Sequence, residues 1–172
     1  MLTETSVVTS TDTPPYSLDR LHHIAFVVAD IDKAAAEFAD LYGVTIVLFE
    51  EGPYNCRIDG ADVSPLHRMG LSVGESPHIE LLRAVPGSTV WTPVSGIHHI
   101  GFVVDNLKTA SHALETAGSP IWMGGVKQGE FPVGATYHRD PMGQVVELMD
   151  RVTEARLTAQ LERSQTSTIE RP

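Results

Sequence analysis

The sequence predicts an α+β fold built from two tandem βαβββ modules. Two observations carry this reading. The stretch His22-His23-Ile24-Ala25-Phe26-Val27-Val28 returns as His98-His99-Ile100-Gly101-Phe102-Val103-Val104, and the same order of elements follows each copy. Repetition of a whole supersecondary unit is the mark of a duplicated architecture.

Each opening stretch reads as a buried strand, rich in β-branched and aromatic residues. Behind the first stand Asp30 and Asp32, and behind the second Asp105 and Asn106, residues whose side chains accept the orphan N–H groups of a helix start. The first helix is expected from Lys33 to Tyr42, with Phe38 and Leu41 at helical spacing and a stop at Gly43. The second is expected from Lys108 to Ala117, with a stop at Gly118. Three strands then complete each module. In the first they are expected over 44–50, 68–73 and 79–85, with a turn-rich span around Pro53 and Gly60. In the second they are expected over 121–123, 135–139 and 145–149, separated by Gly124-Gly125 and the turn Asp140-Pro141-Met142-Gly143. The modules are placed at 18–85 and 97–150, joined by a linker over 86–96. An irregular arm is expected over 1–17, and a tail with a short helix over 151–172.

Composition narrows the function. Of 172 residues, 42% are hydrophobic and 20% charged, as in globular chains. Twelve Lys and Arg against twenty-two Asp and Glu leave a formal net charge of -10. That excess repels phosphate backbones and anionic membranes, so nucleic acid and membrane are not expected partners. Cys56 is single, which rules out an internal disulfide and a paired-thiolate zinc site. No basic run leads into an apolar stretch near the N-terminus and no window approaches a membrane span, so the protein is expected in the cytoplasm.

The chemistry resides in the histidines and two acids. Side chains alternate along a strand, so His23 shares a face with Ala25, and His99 shares one with Gly101. A histidine beside so small a residue marks the wall of a cavity. The closing strands carry Glu80 within Ile79-Glu80-Leu81-Leu82 and Glu147 within Val145-Val146-Glu147-Leu148-Met149. A carboxylate removed from water is costly unless positive charge or donors meet it, and neither opening strand holds Lys or Arg. Two imidazoles and two carboxylates neutralise one divalent cation and leave room for one or two oxygen ligands. His23, Glu80, His99 and Glu147 are therefore expected to hold a metal, with cobalt, nickel, manganese, zinc and iron all open. A single strand histidine is more often a satisfied polar group, and a single strand glutamate more often faces water. Recurrence of both in the same register of both modules sets these four apart. His22 and His98 are expected to point the other way as structural or exposed groups, and His78 and His112 to lie at the surface. His67 and His138 fall within reach of the cavity.

These residues, with the Asp140-Pro141-x-Gly143 turn, resemble the vicinal oxygen chelate superfamily: glyoxalase I, methylmalonyl-CoA epimerase, extradiol dioxygenases and bleomycin or fosfomycin resistance proteins. The resemblance spans about 21–150 and is nearest to the methylmalonyl-CoA epimerase branch. It implies paired modules whose mixed sheet curls around a divalent metal held by the four residues above. It also implies an epimerase, isomerase or lyase that removes a proton beside a metal-bound carbonyl or carboxylate and passes through an enolate, as in epimerase or glyoxalase I chemistry. The epimerase branch carries a catalytic glutamate on the third strand of its first module, where this sequence reads His67-Arg68-Met69-Gly70-Leu71-Ser72-Val73. The base is accordingly expected among Glu147, Glu80, His67 and His138. Tyr54, Arg68, Trp122, Phe131 and Tyr137 are expected around a pocket for a small carbonyl or acyl substrate, with Glu130 and Phe131 on a loop above it. The alternatives are an iron(II) extradiol dioxygenase, which uses two histidines and one carboxylate, and a metal-free binding protein of the bleomycin-resistance kind. A homodimer is expected.

Overall fold

The computed structural model describes residues 16–169. Positions 1–15 of the arm expected over 1–17 lie outside the described residues. The first module runs β1 (Leu21–Val28), α1 (Ile31–Tyr42), β2 (Ile46–Leu48), four short strands β3 (Gly52–Pro53), β4 (Cys56–Ile58), β5 (Ala61–Val63) and β6 (Leu66–His67), then β7 (Met69–Ser72) and β8 (His78–Arg83). The second runs β9 (His99–Val104), α2 (Leu107–Thr116), β10 (Ile121–Gly125), β11 (Ala135–Arg139) and β12 (Val145–Asp150). It is followed directly by α3 (Arg151–Ile169).

Both helices of the repeat start as their caps dictate. Asp30 accepts the Lys33 N–H at 3.0 Å and Asn106 accepts the Thr109 N–H at 3.0 Å, each cap stabilising its helix by about 1 kcal/mol. Gly43 ends α1 in the left-handed region at φ 66°, which a residue lacking Cβ adopts without penalty.

One ten-stranded sheet has the order β2-β7-β8-β1-β9-β12-β11-β10-β4-β5. At its centre β1 and β9 pair antiparallel, and each pairs in parallel with the closing strand of its own module, β8 or β12. The modules are thus related across the β1–β9 junction, and chain length shows that the sheet curls. If flat, with strands about 4.8 Å apart, β2 and β4 would stand about 38 Å apart. The chain from Leu48 to Cys56 reaches at most about 29 Å. The span read as turn-rich therefore crosses the open side of a cup. There β4 pairs with β10, Cys56 opposite Gly125 and Ile58 opposite Met123.

The two faces of the sheet take the residues that alternation assigns them. Phe26 and Val28 pack outward with Ile31, Ala34, Phe38 and Leu81. Phe102, Val104 and Leu148 pack outward with Leu107 and Ala110. Ala25 and Val27 instead join Leu82, Trp91, Met123 and Tyr137 on the inner face. Leu157 of α3 packs on Phe49, Leu71, Val103 and Met149, so the C-terminal helix is seated on the cup. None of the described helices is long and apolar enough to cross a membrane.

Candidate metal centre

Strand register assembles the four residues. Ala25 of β1 stands opposite Glu80 on one side and His99 on the other. Gly101 of β9 stands opposite His23 and Glu147. Each histidine and each acid therefore projects over a residue with almost no side chain. The space is needed, because a Cβ on Gly101 would overlap the His23 ring.

The four side chains are buried, at 1%, 4%, 0% and 6% exposure for His23, Glu80, His99 and Glu147. Their ligating atoms all lie within 4.8 Å of one another. His23 Nε2 is 3.1 Å from His99 Nε2 and 3.1 Å from Glu147 Oε2; His99 Nε2 is 2.8 Å from Glu147 Oε2 and 3.3 Å from Glu80 Oε2. Bonds of about 2.1 Å to one cation place neighbouring donors about 3.0 Å apart and opposite donors about 4.2 Å apart. The quartet has that spacing. Protons alone satisfy it poorly: two ring nitrogens aim at the same point, and Glu80 Oε2 is buried with no hydrogen-bond partner. The donor set, two imidazoles and two carboxylates, suits a divalent transition metal.

Electrostatics agree with the spacing. Burial pushes both carboxyls up, but the facing histidines win and hold Glu80 and Glu147 below the usual carboxylate range. Burial opposes charge on His99, yet the facing carboxylates of Glu147 and Glu80, 2.8 and 3.3 Å from its Nε2, raise it to about 9. A proton on His99 supplies part of the positive charge that the two buried carboxylates favour.

The histidines expected to point away have a different place. His22 and His98 are 4% and 6% exposed, and each sets its Nδ1 2.9 Å from the Nδ1 of the neighbouring His23 or His99. A turn of the ring about χ angles, not strand alternation, makes this contact. Burial pulls both down to about 4, so both are neutral near pH 7. For His98 the proton positions follow by elimination. Its Nε2 lies 2.8 Å from the Val90 carbonyl, which only accepts, so Nε2 carries the hydrogen. His98 Nδ1 then accepts from His99 Nδ1–H, and His99 Nε2 is left facing the cluster. A ligating histidine held through its second nitrogen in this way has a fixed ring and tautomer.

Above the quartet lies a cavity of about 200 Å³ with Glu80 and Glu147 in its lining. Its walls include Tyr54, His67, Met69, Trp91, Met123 and Tyr137. Tyr137 lies over His99 with ring centroids 4.6 Å apart; burial first, then Glu147 and Glu80, push its hydroxyl far up, so it remains a donor. Burial also raises Tyr54. His67 is packed between Tyr54 and Trp91, with centroids 5.6 and 4.9 Å away, and its Nε2 is buried without a partner. Burial lowers His67, leaving it neutral at neutral pH.

Other expected pocket residues are placed elsewhere. His138 points to the helix side of β11, its Nδ1 2.8 Å from the Ser119 carbonyl and its Nε2 3.1 Å from Thr136 Oγ1, because alternation gives the cavity to Tyr137. Arg68 is bound to Asp32 at 2.6 Å on the outer surface. Trp122 carries Arg139 at 3.7 Å over its ring, and Phe131 lies on Gly124 beneath Arg57 at 4.5 Å. Neither ring lines the cavity, nor does Glu130. Sequence reading missed Trp91, which sits in the Pro/Gly-rich linker. Two hydrogen bonds from Val90 N–H and Trp91 N–H to Ser88 Oγ fold that linker inward. An apolar pair, Val90-Trp91, inside a run of turn residues was the available signal. His22, His98, Met69, Met123 and the α3 residues were missed as well.

The family described as Glyoxalase/Bleomycin resistance protein/Dioxygenase superfamily matches residues 22–137. An ethylmalonyl-CoA/methylmalonyl-CoA epimerase of Cereibacter sphaeroides is 26% identical over 124 residues, covering 69% of this chain and 82% of that protein. Among solved structures, a methylmalonyl-CoA epimerase in complex with methylmalonyl-CoA and NH4+ aligns with a TM-score of 0.52 at 17% identity, over 76% of this chain and 93% of the other. A Streptomyces coelicolor methylmalonyl-CoA epimerase variant in complex with 2-nitronate-propionyl-CoA gives the same TM-score of 0.52 and 17% identity, over 76% and 96%. At these identities the solved structures establish the fold alone.

Proposed function

Because the chain belongs to the glyoxalase/bleomycin resistance protein/dioxygenase superfamily, we propose that it is a divalent-metal-dependent epimerase, isomerase or lyase acting on a small carbonyl or acyl substrate. The observation that carries this reading is the buried quartet His23, Glu80, His99 and Glu147 at the base of a mostly apolar cavity. A bound cation would supply Lewis acidity, drawing charge onto the oxygen of a carbonyl or carboxylate and making the adjacent C–H more acidic.

The chain's own residues do the rest. His67 Nε2, neutral and unpartnered in the cavity wall, takes the proton from carbon, and the bonding electrons move onto the carbonyl oxygen as an enolate. Tyr137 keeps its hydroxyl proton and donates toward that developing negative charge. Met69, Leu82, Met123 and Met149 exclude water from the reacting centre. Return of the proton from His67 to a neighbouring atom yields an isomer, and rotation of the enolate before His67 returns the proton to the same carbon yields an epimer. Glu80 stands 3.3 Å from His99, a fourth donor that the iron(II) dioxygenase arrangement of two histidines and one carboxylate does not use.

The test is deuterium incorporation from heavy water into acyl thioesters and 2-oxo acids, followed by mass spectrometry with metal-loaded protein. Exchange is expected next to the carbonyl. It should fall by about 10²- to 10⁴-fold in His67→Gln, the usual worth of a positioned base, and vanish in Glu147→Gln. Absence of exchange across the whole panel would sink the proposal.

A further inference from the structure

The C-terminal helix bears on which substrate the cavity takes. α3 lies beyond the residues matched by the family, 22–137, yet it forms one side of the cavity. Thr153, Arg156, Leu157 and Gln160 all line it; these positions are three and four apart and so form one stripe of the helix. Leu157 is 5% exposed and anchors that stripe in the core.

Arg156 is the one Lys or Arg among the residues lining the cavity. It differs from other arginines of the chain. Arg20, Arg57, Arg68, Arg83 and Arg151 each have a carboxylate partner, whereas Arg156 forms no ion pair among the described residues. In a chain of formal charge -10, a guanidinium that faces a cavity and remains uncommitted is available to a ligand. Tyr54 lines the same cavity as Glu147 and Arg156.

Size limits the ligand further. About 200 Å³ falls below the usual range of drug-sized pockets, about 300–1,000 Å³. No second basic side chain lines the cavity to meet the phosphates of a nucleotide carrier.

We infer that the ligand is a small free acid with two anionic ends: an oxygen-chelating head for the His/Glu quartet and a second carboxylate held by Arg156 of the C-terminal helix. This rests on the metal-centred reading above and departs from the carrier-linked substrates named for the relatives. A planar guanidinium takes a carboxylate through two parallel hydrogen bonds, which a point charge does not reproduce.

Calorimetric binding to the metal-loaded full chain tests it, with 2-oxoglutarate compared with 2-oxopentanoate and with methylmalonyl-CoA. These differ in the second carboxylate and in the carrier. The dianion should bind roughly ten- to a hundredfold more tightly than the monoanion, the worth of a hydrogen-bonded charge. Arg156→Gln should remove that difference while leaving monoanion binding unchanged, and Arg156→Lys should restore part of it. Arg156 is exposed, so these variants keep the fold. Tighter binding of methylmalonyl-CoA than of the free acids, equal binding of dianion and monoanion, or dianion selectivity untouched by Arg156→Gln would each overturn the inference. Selective dianion binding without C–H exchange would leave it standing and remove the enolate reading. Exchange on the thioester alone, with no dianion selectivity, would do the reverse.

Discussion

His98 contributes no ligating atom, yet its ring decides which nitrogen of His99 faces the cluster. The chain Val90 carbonyl, His98, His99 holds Nδ1–H in place whether or not Nε2 carries a proton. Without metal, that Nε2 proton is retained up to about pH 9 by Glu147 and Glu80. A cation must displace it, so affinity should strengthen by about tenfold per pH unit up to about pH 9, with close to one proton released at neutral pH. In the metal-free chain the same pairing stabilises the fold fully below the ordinary imidazole range and is lost as pH rises through about 9. Calorimetric metal titrations in buffers of different ionisation heat measure the proton count directly. In those titrations His98→Ala should bind the cation about 10- to 100-fold more weakly, with partial recovery in His98→Gln, whose amide oxygen accepts from His99 Nδ1–H. Sequence brought out the four donors because they recur. It did not reveal His22 and His98 as their supports, because a period-two strand pattern says which face a Cβ takes and nothing about where a ring nitrogen ends up after rotation.

At the scale of elements, the site depends on two adjacent strands that carry almost no side chain where they cross. Gly101 on β9 leaves the space that the His23 ring of β1 fills. Gly101→Ala should therefore displace His23, weaken cation binding and cost about 1–3 kcal/mol from overpacking. Gly124→Ala makes a control: its Cβ would meet Phe131 Cε2 at 2.7 Å, on a ring outside the cavity. That variant should lose thermal stability without losing cation affinity, as thermal unfolding with and without the cation would show. The repeated long strands and capped helices were legible because periodicity and capping act within a few residues. The short strands β3 to β6 were not. Two or three residues show no periodicity, and β5 is exposed throughout, so only the Asp59-Gly60 pair, with φ of 49° and 83°, marks the β4–β5 hairpin. Its pairing with β10 is a contact between modules, and local pattern has no access to that.

At the scale of the molecule, duplication supplies both halves of the centre from one chain. His23 and Glu80 come from the first module and His99 and Glu147 from the second, and the β1–β9 pairing that joins them is internal. A homodimer, which we retain as a proposal, would then contain two independent sites rather than one site completed across an interface. The distinction has a direct test. His23→Ala and Glu147→Ala, co-expressed and purified together, each lack one ligand in every site if each site belongs to one chain. Mixed dimers should bind no more cation than the separate variants, by metal analysis after gel filtration. A site shared across a two-fold interface behaves differently, because a mixed dimer gathers both defects at one end and leaves one intact set at the other. Recovery of up to about half the wild-type metal in mixed dimers would then show that strands exchange between chains in solution.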